Sequence, residues 1–120
     1  MTKEYYNRSV SWLNKLVAGT INKVELFRLG LHWWCDEVVL PIKDPDNVVK
    51  LLIWYADNHC DAVAYYNLGV LFQEGILRPK NIELAKWYFL KALNEGMSVE
   101  RELFFIENLQ DGTTIHSTPR

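Results

Sequence analysis

The sequence is poor in the residues that staple or break a chain. Its 120 residues include two cysteines, six glycines and four prolines, which excludes a disulfide-dense scaffold and a Gly/Pro-rich low-complexity chain. The formal net charge is only -2, and charges of both signs are spread along the chain, which counts against a nucleic-acid partner. We expect one globular domain with a single hydrophobic core.

A hydrophobic segment long enough to cross a membrane is also missing. The N-terminus MTKEYYNRSV lacks the apolar region of a signal peptide, and no apolar run approaches the roughly 20 residues that a bilayer requires. We therefore expect a cytoplasmic protein with no membrane partner. In a reducing compartment, Cys35 and Cys60 are expected as buried free thiols.

Helical periodicity runs through the chain. Apolar residues recur at spacings of three and four, and no segment alternates apolar and polar residues as a half-buried strand does. The pattern predicts an all-α protein with helices over about 3–17, 22–40, 47–59, 61–73, 81–96 and 98–109. The third of these helices is short and apolar nearly all round, so we expect it to be the most buried.

A shift of 36 residues aligns two of these helical segments. It places NVVKLLIWYADNHCD (47–61) over ELAKWYFLKALNEGM (83–97), so that Lys50 meets Lys86. A period of this length is typical of helix pairs in repeat proteins.

The second of these segments and the helix before it carry small and aromatic residues at fixed spacings. They are Ala62, Ala64, Leu68, Gly69, Phe72, Gly75, Ala85, Lys91, Ala92 and Gly96. Their arrangement resembles the Sel-one-like repeat, a relative of the tetratricopeptide repeat, whose pattern is A-x-A-x-x-x-L-G-x-x-Y-x-x-G-x-G-V-x-x-D-x-x-K-A-x-x-W-Y-x-K-A-A-x-x-G. The chain departs from the pattern at Leu77, Arg78, Asn81, Leu84 and Tyr88.

The resemblance implies a short α-solenoid of antiparallel helix pairs, with about six helices and a capping helix at each end. Gly69, Ala85 and Ala92 would then let the fourth and fifth helices approach closely. The expected organisation is an N-terminal cap helix at 1–20, a degenerate repeat at 21–60, the clear repeat at 61–96, a C-terminal cap helix at 97–110 and a flexible tail at 111–120.

Two groups of residues have the composition of a chemical site. His32, Cys35 and Asp36 share one helical face and could present three metal ligands, but such sites normally recruit a fourth ligand. His59 and Cys60 are neighbours on a helix, where adjacent side chains point about 100° apart and cannot act together as a nucleophile and its base. The 36-residue shift instead places Cys60 where Gly96 ends the second copy, so Cys60 is expected to replace a helix-terminating glycine. The two histidines and two cysteines could still meet across one helix pair.

No phosphate-binding loop, zinc-protease motif or nucleophile elbow occurs in the sequence. We therefore expect no catalytic residue, no metal and no cofactor.

The aromatic residues are more informative. Five tryptophans, six tyrosines and five phenylalanines exceed what one small core conceals, and interfaces are enriched in Trp and Tyr. We expect some of them to be exposed, while packing is the favoured interpretation for Trp12, Trp33, Trp54 and Trp87. Repeats of this kind bind partners along the concave wall that the first helix of each pair forms. The resemblance assigns to this wall Phe27, Leu31, Trp34, Val63, Tyr66, Val70, Gln73, Glu74 and Glu102.

These features predict a non-catalytic module that binds another protein, as a monomer or small homo-oligomer. The front of the chain, a short helix followed by AGTINKVEL, is loosely similar to small bacterial immunity proteins, which implies that the partner is a toxin domain. The alternative is an adaptor or scaffold subunit of a larger complex, and the third possibility is a metal-dependent enzyme.

Overall fold

The helices of the computed structural model confirm the all-α class. It describes residues 3–29 and 45–117, and no strand occurs within these ranges. The helices are α1 (Lys3–Ala18), α2 (Lys23–Arg28), α3 (Pro45–His59), α4 (Ala62–Glu74), α5 (Ile82–Asn94) and α6 (Glu100–Ser117). Beyond Leu29, the predicted helix over 22–40 lies outside the described residues.

The ends of α4 and α5 are set by local side-chain chemistry. The Asp61 carboxylate accepts hydrogen bonds from the backbone N–H groups of Val63 and Ala64 at 2.9 and 3.2 Å, and Asn81 accepts from Leu84 N–H at 3.0 Å. Gly75 ends α4 in the left-handed conformation, which costs glycine little. These residues account for the helix ends that the periodicity places near residues 73 and 81.

Two residues other than glycine also adopt the left-handed conformation. Cys60, in the turn from α3 to α4, has φ 46, and Leu77, in the loop after α4, has φ 66. The prediction that Cys60 takes the place of a helix-terminating glycine is confirmed. Leu77 stands at the position where the Sel-one-like pattern has glycine, and its backbone adopts a conformation that is typical of glycine.

Gly69 sets the distance between α4 and α5. A Cβ atom added there would lie 2.6 Å from the ring of Phe89, which is buried completely. Ala85 and Ala92, on the facing side of α5, are fully buried as well. The close approach predicted from these three small residues is confirmed.

Helix α4 lies at the centre of the fold. It packs against α1, α3 and α5, while α5 also packs against α6. Ten of its 13 residues are buried. The expectation that α3 is the most buried helix is wrong, because Trp54, Asn58 and His59 on α3 are exposed.

A buried polar contact joins three segments of the chain. The Asn67 amide donates to the carbonyl oxygens of Leu29 at 3.1 Å and Val63 at 2.9 Å, and its oxygen accepts from the Ser9 hydroxyl. Ser9 and Asn67 are both buried. Since buried polar groups are costly unless they are hydrogen-bonded, this contact fixes how α1 and the end of α2 sit on α4.

The last helix is longer than expected. Helix α6 reaches Ser117 and includes residues 111–117, which the sequence assigns to a flexible tail. Gly112 is tolerated within a helix at a cost of about 1 kcal/mol, and the first proline after the helix is Pro119. No helix among the described residues is both long and apolar enough to span a membrane.

Candidate partner-binding cleft

The structure places most of the described wall residues inside the protein. Tyr66 and Val70 are fully buried, Gln73 is 8 % exposed and Glu102 is 2 % exposed. The expectation that Tyr66, Val70 and Gln73 line an open wall on α4 is therefore corrected, because α4 is covered on three sides by α1, α3 and α5. Glu102 lies on α6 and is buried with its carboxylate bonded to Tyr66.

The remaining wall residues differ in exposure. Val63 is half-buried and Glu74 is exposed. Leu31, Trp34 and the side chain of Phe27 lie outside the described part of the structure.

Three of the predicted residues meet in a cleft at one end of the fold. Gln73, Glu74 and Glu102 line a space of about 380 Å³ bounded by α1, the end of α4 and α6. The other lining residues are Lys3, Tyr6, Asn7, Arg101, Phe104, Phe105 and Asn108. Pockets for small ligands have about this volume, so the cleft has room for a side chain or a short peptide segment.

Helix α1 contributes Tyr6 to the cleft. Ser9, Leu13 and Leu16 are the buried side of α1, and Tyr6 precedes Ser9 by three residues on the same face. Its hydroxyl donates a 2.5 Å hydrogen bond to Glu74 Oε2. Burial, and next the hydrogen bond to Glu74, raise the pKa of Tyr6, so the hydroxyl keeps its proton at neutral pH.

A second tyrosine and carboxylate pair lies beneath the cleft. The Tyr66 hydroxyl donates to Glu102 Oε2 at 2.6 Å. Burial first, and then the hydrogen bond to Glu102, raise the pKa of Tyr66. The Tyr66 ring is held between Tyr5 and Phe89, with centroid distances of 5.4 Å to each. A rigid donor thus positions the Glu102 carboxylate at the cleft.

The side-chain oxygen of Gln73 lacks a hydrogen-bond donor among the described residues. This atom, Oε1, is buried. Leaving a buried acceptor unsatisfied costs about 1–3 kcal/mol. A ligand that donates to Gln73 from within the cleft would remove this cost.

The rim of the cleft is apolar on one side and cationic on the other. Phe104 is 67 % exposed and Phe105 is 52 % exposed, and Lys3 and Arg101 are exposed. Sequence reasoning missed Phe104, although the signal was there: two successive helical residues point about 100° apart, so at least one phenylalanine of the pair faces away from a narrow core stripe.

Other exposed apolar residues lie outside the cleft. Trp87 and Leu90 on α5 and Trp54 on α3 are exposed, so the packing interpretation is wrong for Trp54 and Trp87. The Lys91 ammonium lies 5.2 Å from the ring centroids of both Trp87 and Tyr65. Trp12 is partly buried against the core, and Trp33 lies outside the described residues.

Residues that could hold a metal do not gather in the described ranges, where no three His, Cys, Asp or Glu side chains come together. His32, Cys35 and Asp36 lie outside those ranges. Cys60 is an exposed free thiol, so the expectation that it is buried is wrong; it lies in the turn between α3 and α4.

Comparison with protein-family models, curated proteins and solved structures finds no match to this chain.

Proposed function

We propose that this protein acts without catalysis by binding another protein, part of which enters the cleft between α1, α4 and α6. The observation that carries the proposal is the pairing of exposed Phe104 and Phe105 with the buried acceptors Gln73 and Glu102 in one cleft. Interfaces are typically built from buried aromatic anchors with a few fixed polar groups beside them.

The chemistry of the cleft favours binding over catalysis. An acid or base catalyst works best when its pKa lies near the working pH. Tyr6 and Tyr66 instead have pKa values raised above the ordinary 10.0, and both hydroxyls donate to carboxylates. Such pairs hold side chains in place, and an activated nucleophile would require the opposite shift.

Within this proposal, α4 and α5 form one Sel-one-like helix pair in a short α-solenoid, and α1 and α6 act as its capping helices. Three features support it: the close contact at Gly69, the left-handed stop at Gly75, and the positive φ of Leu77 at the second glycine position of the pattern. Capping helices shield the apolar ends of a short array.

The most specific form of the proposal is a bacterial immunity protein that neutralises a toxin domain. The alternative is an adaptor or scaffold subunit in a larger complex. The exposure of Trp87 and Leu90 on α5 and of Trp54 on α3 favours the alternative, because a scaffold needs a further site for a second partner, whereas an inhibitor needs only the cleft.

The test begins with copurification from the native cell and identification of the partner by mass spectrometry, followed by titration calorimetry with the purified partner. Phe104→Ser combined with Phe105→Ser should weaken binding at least about tenfold, since the anchors of an interface contribute most of its affinity. Trp87→Ser is the matched control, because it removes an aromatic side chain of similar exposure outside the cleft.

One outcome supports the immunity role, and another contradicts binding in the cleft. Rescue of cells that express a neighbouring toxin gene, lost in the Phe104 and Phe105 variant, would support the immunity role. Affinity that depends on Trp87 and is unchanged by the two phenylalanine substitutions would contradict the cleft proposal.

A further inference from the structure

The floor of the cleft is made of hydrogen-bond acceptors. Gln73 Oε1 is buried and receives no donor from the described residues, and Glu102 belongs to the same lining. The Tyr6 hydroxyl in the lining already donates to Glu74, and the Tyr66 hydroxyl beneath the cleft already donates to Glu102. An occupant that reaches the floor must therefore bring donors.

The charges are arranged by depth. Glu102 is only 2 % exposed, so its negative charge acts at the floor, where screening is weak. Lys3 and Arg101 are exposed at the rim, where water and salt screen them. A cation that reaches the floor is therefore attracted by this carboxylate more strongly than it would be at the surface.

The rim distinguishes between cations. A guanidinium is planar, carries five N–H donors, is weakly hydrated and stacks on aromatic faces, whereas an ammonium is a strongly hydrated point charge with three donors. The exposed rings of Phe104 and Phe105 provide aromatic surface for such stacking. The combination of acceptors below and aromatic surface above fits arginine better than lysine.

We propose, building on the proposed function, that the cleft recognises an arginine side chain of the partner protein. Gln73 and Glu102 accept its N–H groups at the floor, and Phe104 and Phe105 contact the guanidinium plane at the rim. The partner is thereby defined as a protein that presents an exposed arginine on a protruding segment, because a space of about 380 Å³ admits one long side chain and no folded element.

The experiment titrates the full chain with three capped tripeptides, Gly-X-Gly, in which X is arginine, lysine or citrulline, and follows backbone amides by NMR. Citrulline keeps the shape of arginine and lacks its charge. The arginine peptide should shift the amides of residues 73, 74 and 101–105, with a Kd on the order of 1 mM for a ligand of this size. The citrulline peptide should bind about tenfold more weakly, because charge-assisted hydrogen bonds are lost.

Variants test the floor directly. Glu102→Gln removes the charge but still offers an oxygen to Tyr66, and Gln73→Met removes the acceptor at nearly constant shape. Each should weaken the arginine peptide about tenfold. Glu107→Gln is the matched control, because Glu107 is exposed on the same helix and outside the cleft. Thermal unfolding reports whether each variant folds. If Glu102→Gln does not fold, the affinity of Gln73→Met for the arginine peptide tests the inference.

Equal affinity for arginine and citrulline, or shifts confined to α3 and α5, would overturn the inference. The two proposals fail separately. If no peptide binds but the purified partner requires Phe104, the arginine inference is wrong and the protein-binding function stands. If the arginine peptide binds but the Phe104 and Phe105 substitutions leave the partner's affinity unchanged, the cleft binds arginine and the proposed function is wrong.

Discussion

Helices α4 and α5 have equal length and opposite roles. Each has 13 residues, but ten are buried in α4 and four in α5. Helix α4 directs polar groups inward, where Asn67 and Tyr66 meet partners on α1 and α6. Helix α5 keeps a narrow buried stripe and leaves Trp87 and Leu90 exposed. The difference shows that, in this helix pair, one member organises the interior while the other supplies surface.

The largest expected effect is at the contact that joins the two helices. Gly69→Val places new atoms within 2.6 Å of the Phe89 ring, which has no free space to move into because it is fully buried beside Tyr66. We expect a loss of about 3 kcal/mol in the free energy of unfolding, typical of overpacking, measured by urea denaturation.

A second variant controls for helix propensity at this contact. In a Phe89→Leu background the cost of Gly69→Val should shrink, because residues in contact are not additive. An unchanged free energy in the single variant would mean that α4 and α5 are not closely packed there.

The second effect concerns the polar groups that α4 buries. Tyr66→Phe leaves the buried Glu102 carboxylate without its 2.6 Å donor and should cost about 2 kcal/mol. Tyr6→Phe, which breaks the bond to the exposed Glu74, is the matched control and should cost about 0.5–1 kcal/mol. Both are read from urea denaturation, and equal costs would contradict the interior role of α4.

Alkaline pH should weaken the same interior. The pKa of Tyr66 is raised above its ordinary 10.0, chiefly by burial, so the native state holds a proton that the unfolded chain releases near pH 10. The stabilisation is complete below that pH and falls as the pH rises further, by about 1.4 kcal/mol per pH unit for each such tyrosine. Urea midpoints measured from about pH 8 to 11 should fall more steeply in the wild type than in Tyr66→Phe; parallel slopes would exclude this residue as the cause.

The turn that leads into α4 allows a smaller gain. Cys60 has φ 46, a conformation that disfavours L residues by about 1–2 kcal/mol, and its side chain is exposed. Cys60→Gly should therefore raise the free energy of unfolding by up to about 1 kcal/mol, after part of the relief is lost to the greater entropy of the unfolded chain. Cys60→Ser separates the backbone effect from loss of the thiol and should change the thermal midpoint very little.

The smallest effect is expected on the outer face of α5. Leu90→Ala should stay within about 0.5 kcal/mol of the wild type in urea denaturation. The same change at Leu71, fully buried on α4, should cost about 2–5 kcal/mol. Similar losses at the two positions would abolish the distinction between the helices.

Local chemistry made part of the fold predictable. Asn81 and Gly75 mark helix ends through interactions within a few residues, and Gly69 marks a close helix contact because little else fits there. The same reasoning identified Cys60 as a substitute for glycine. The sequence also pointed to Gln73, Glu74 and Glu102, which do share a surface, although that surface is the cleft instead of an open wall.

The rest depended on contacts between distant segments. Tyr66 and Val70 were assigned to an open wall, yet AVAYYNLGVLFQE has no Asp, Glu, Lys or Arg before Glu74, and a helix that is apolar all round is typically central. Tyr6 and Phe104 could not be placed in the cleft from periodicity, because α1 and α6 meet α4 through pairs such as Tyr6 with Glu74, 68 residues apart.

The contact at Asn67 gives the chain an order of assembly. Ser9 is added to the growing chain 58 residues before Asn67, an interval of about 3–12 s at typical ribosomal rates. Throughout that interval the first helix has no site to dock on, so its apolar stripe is open to chaperones until the central helix leaves the ribosome.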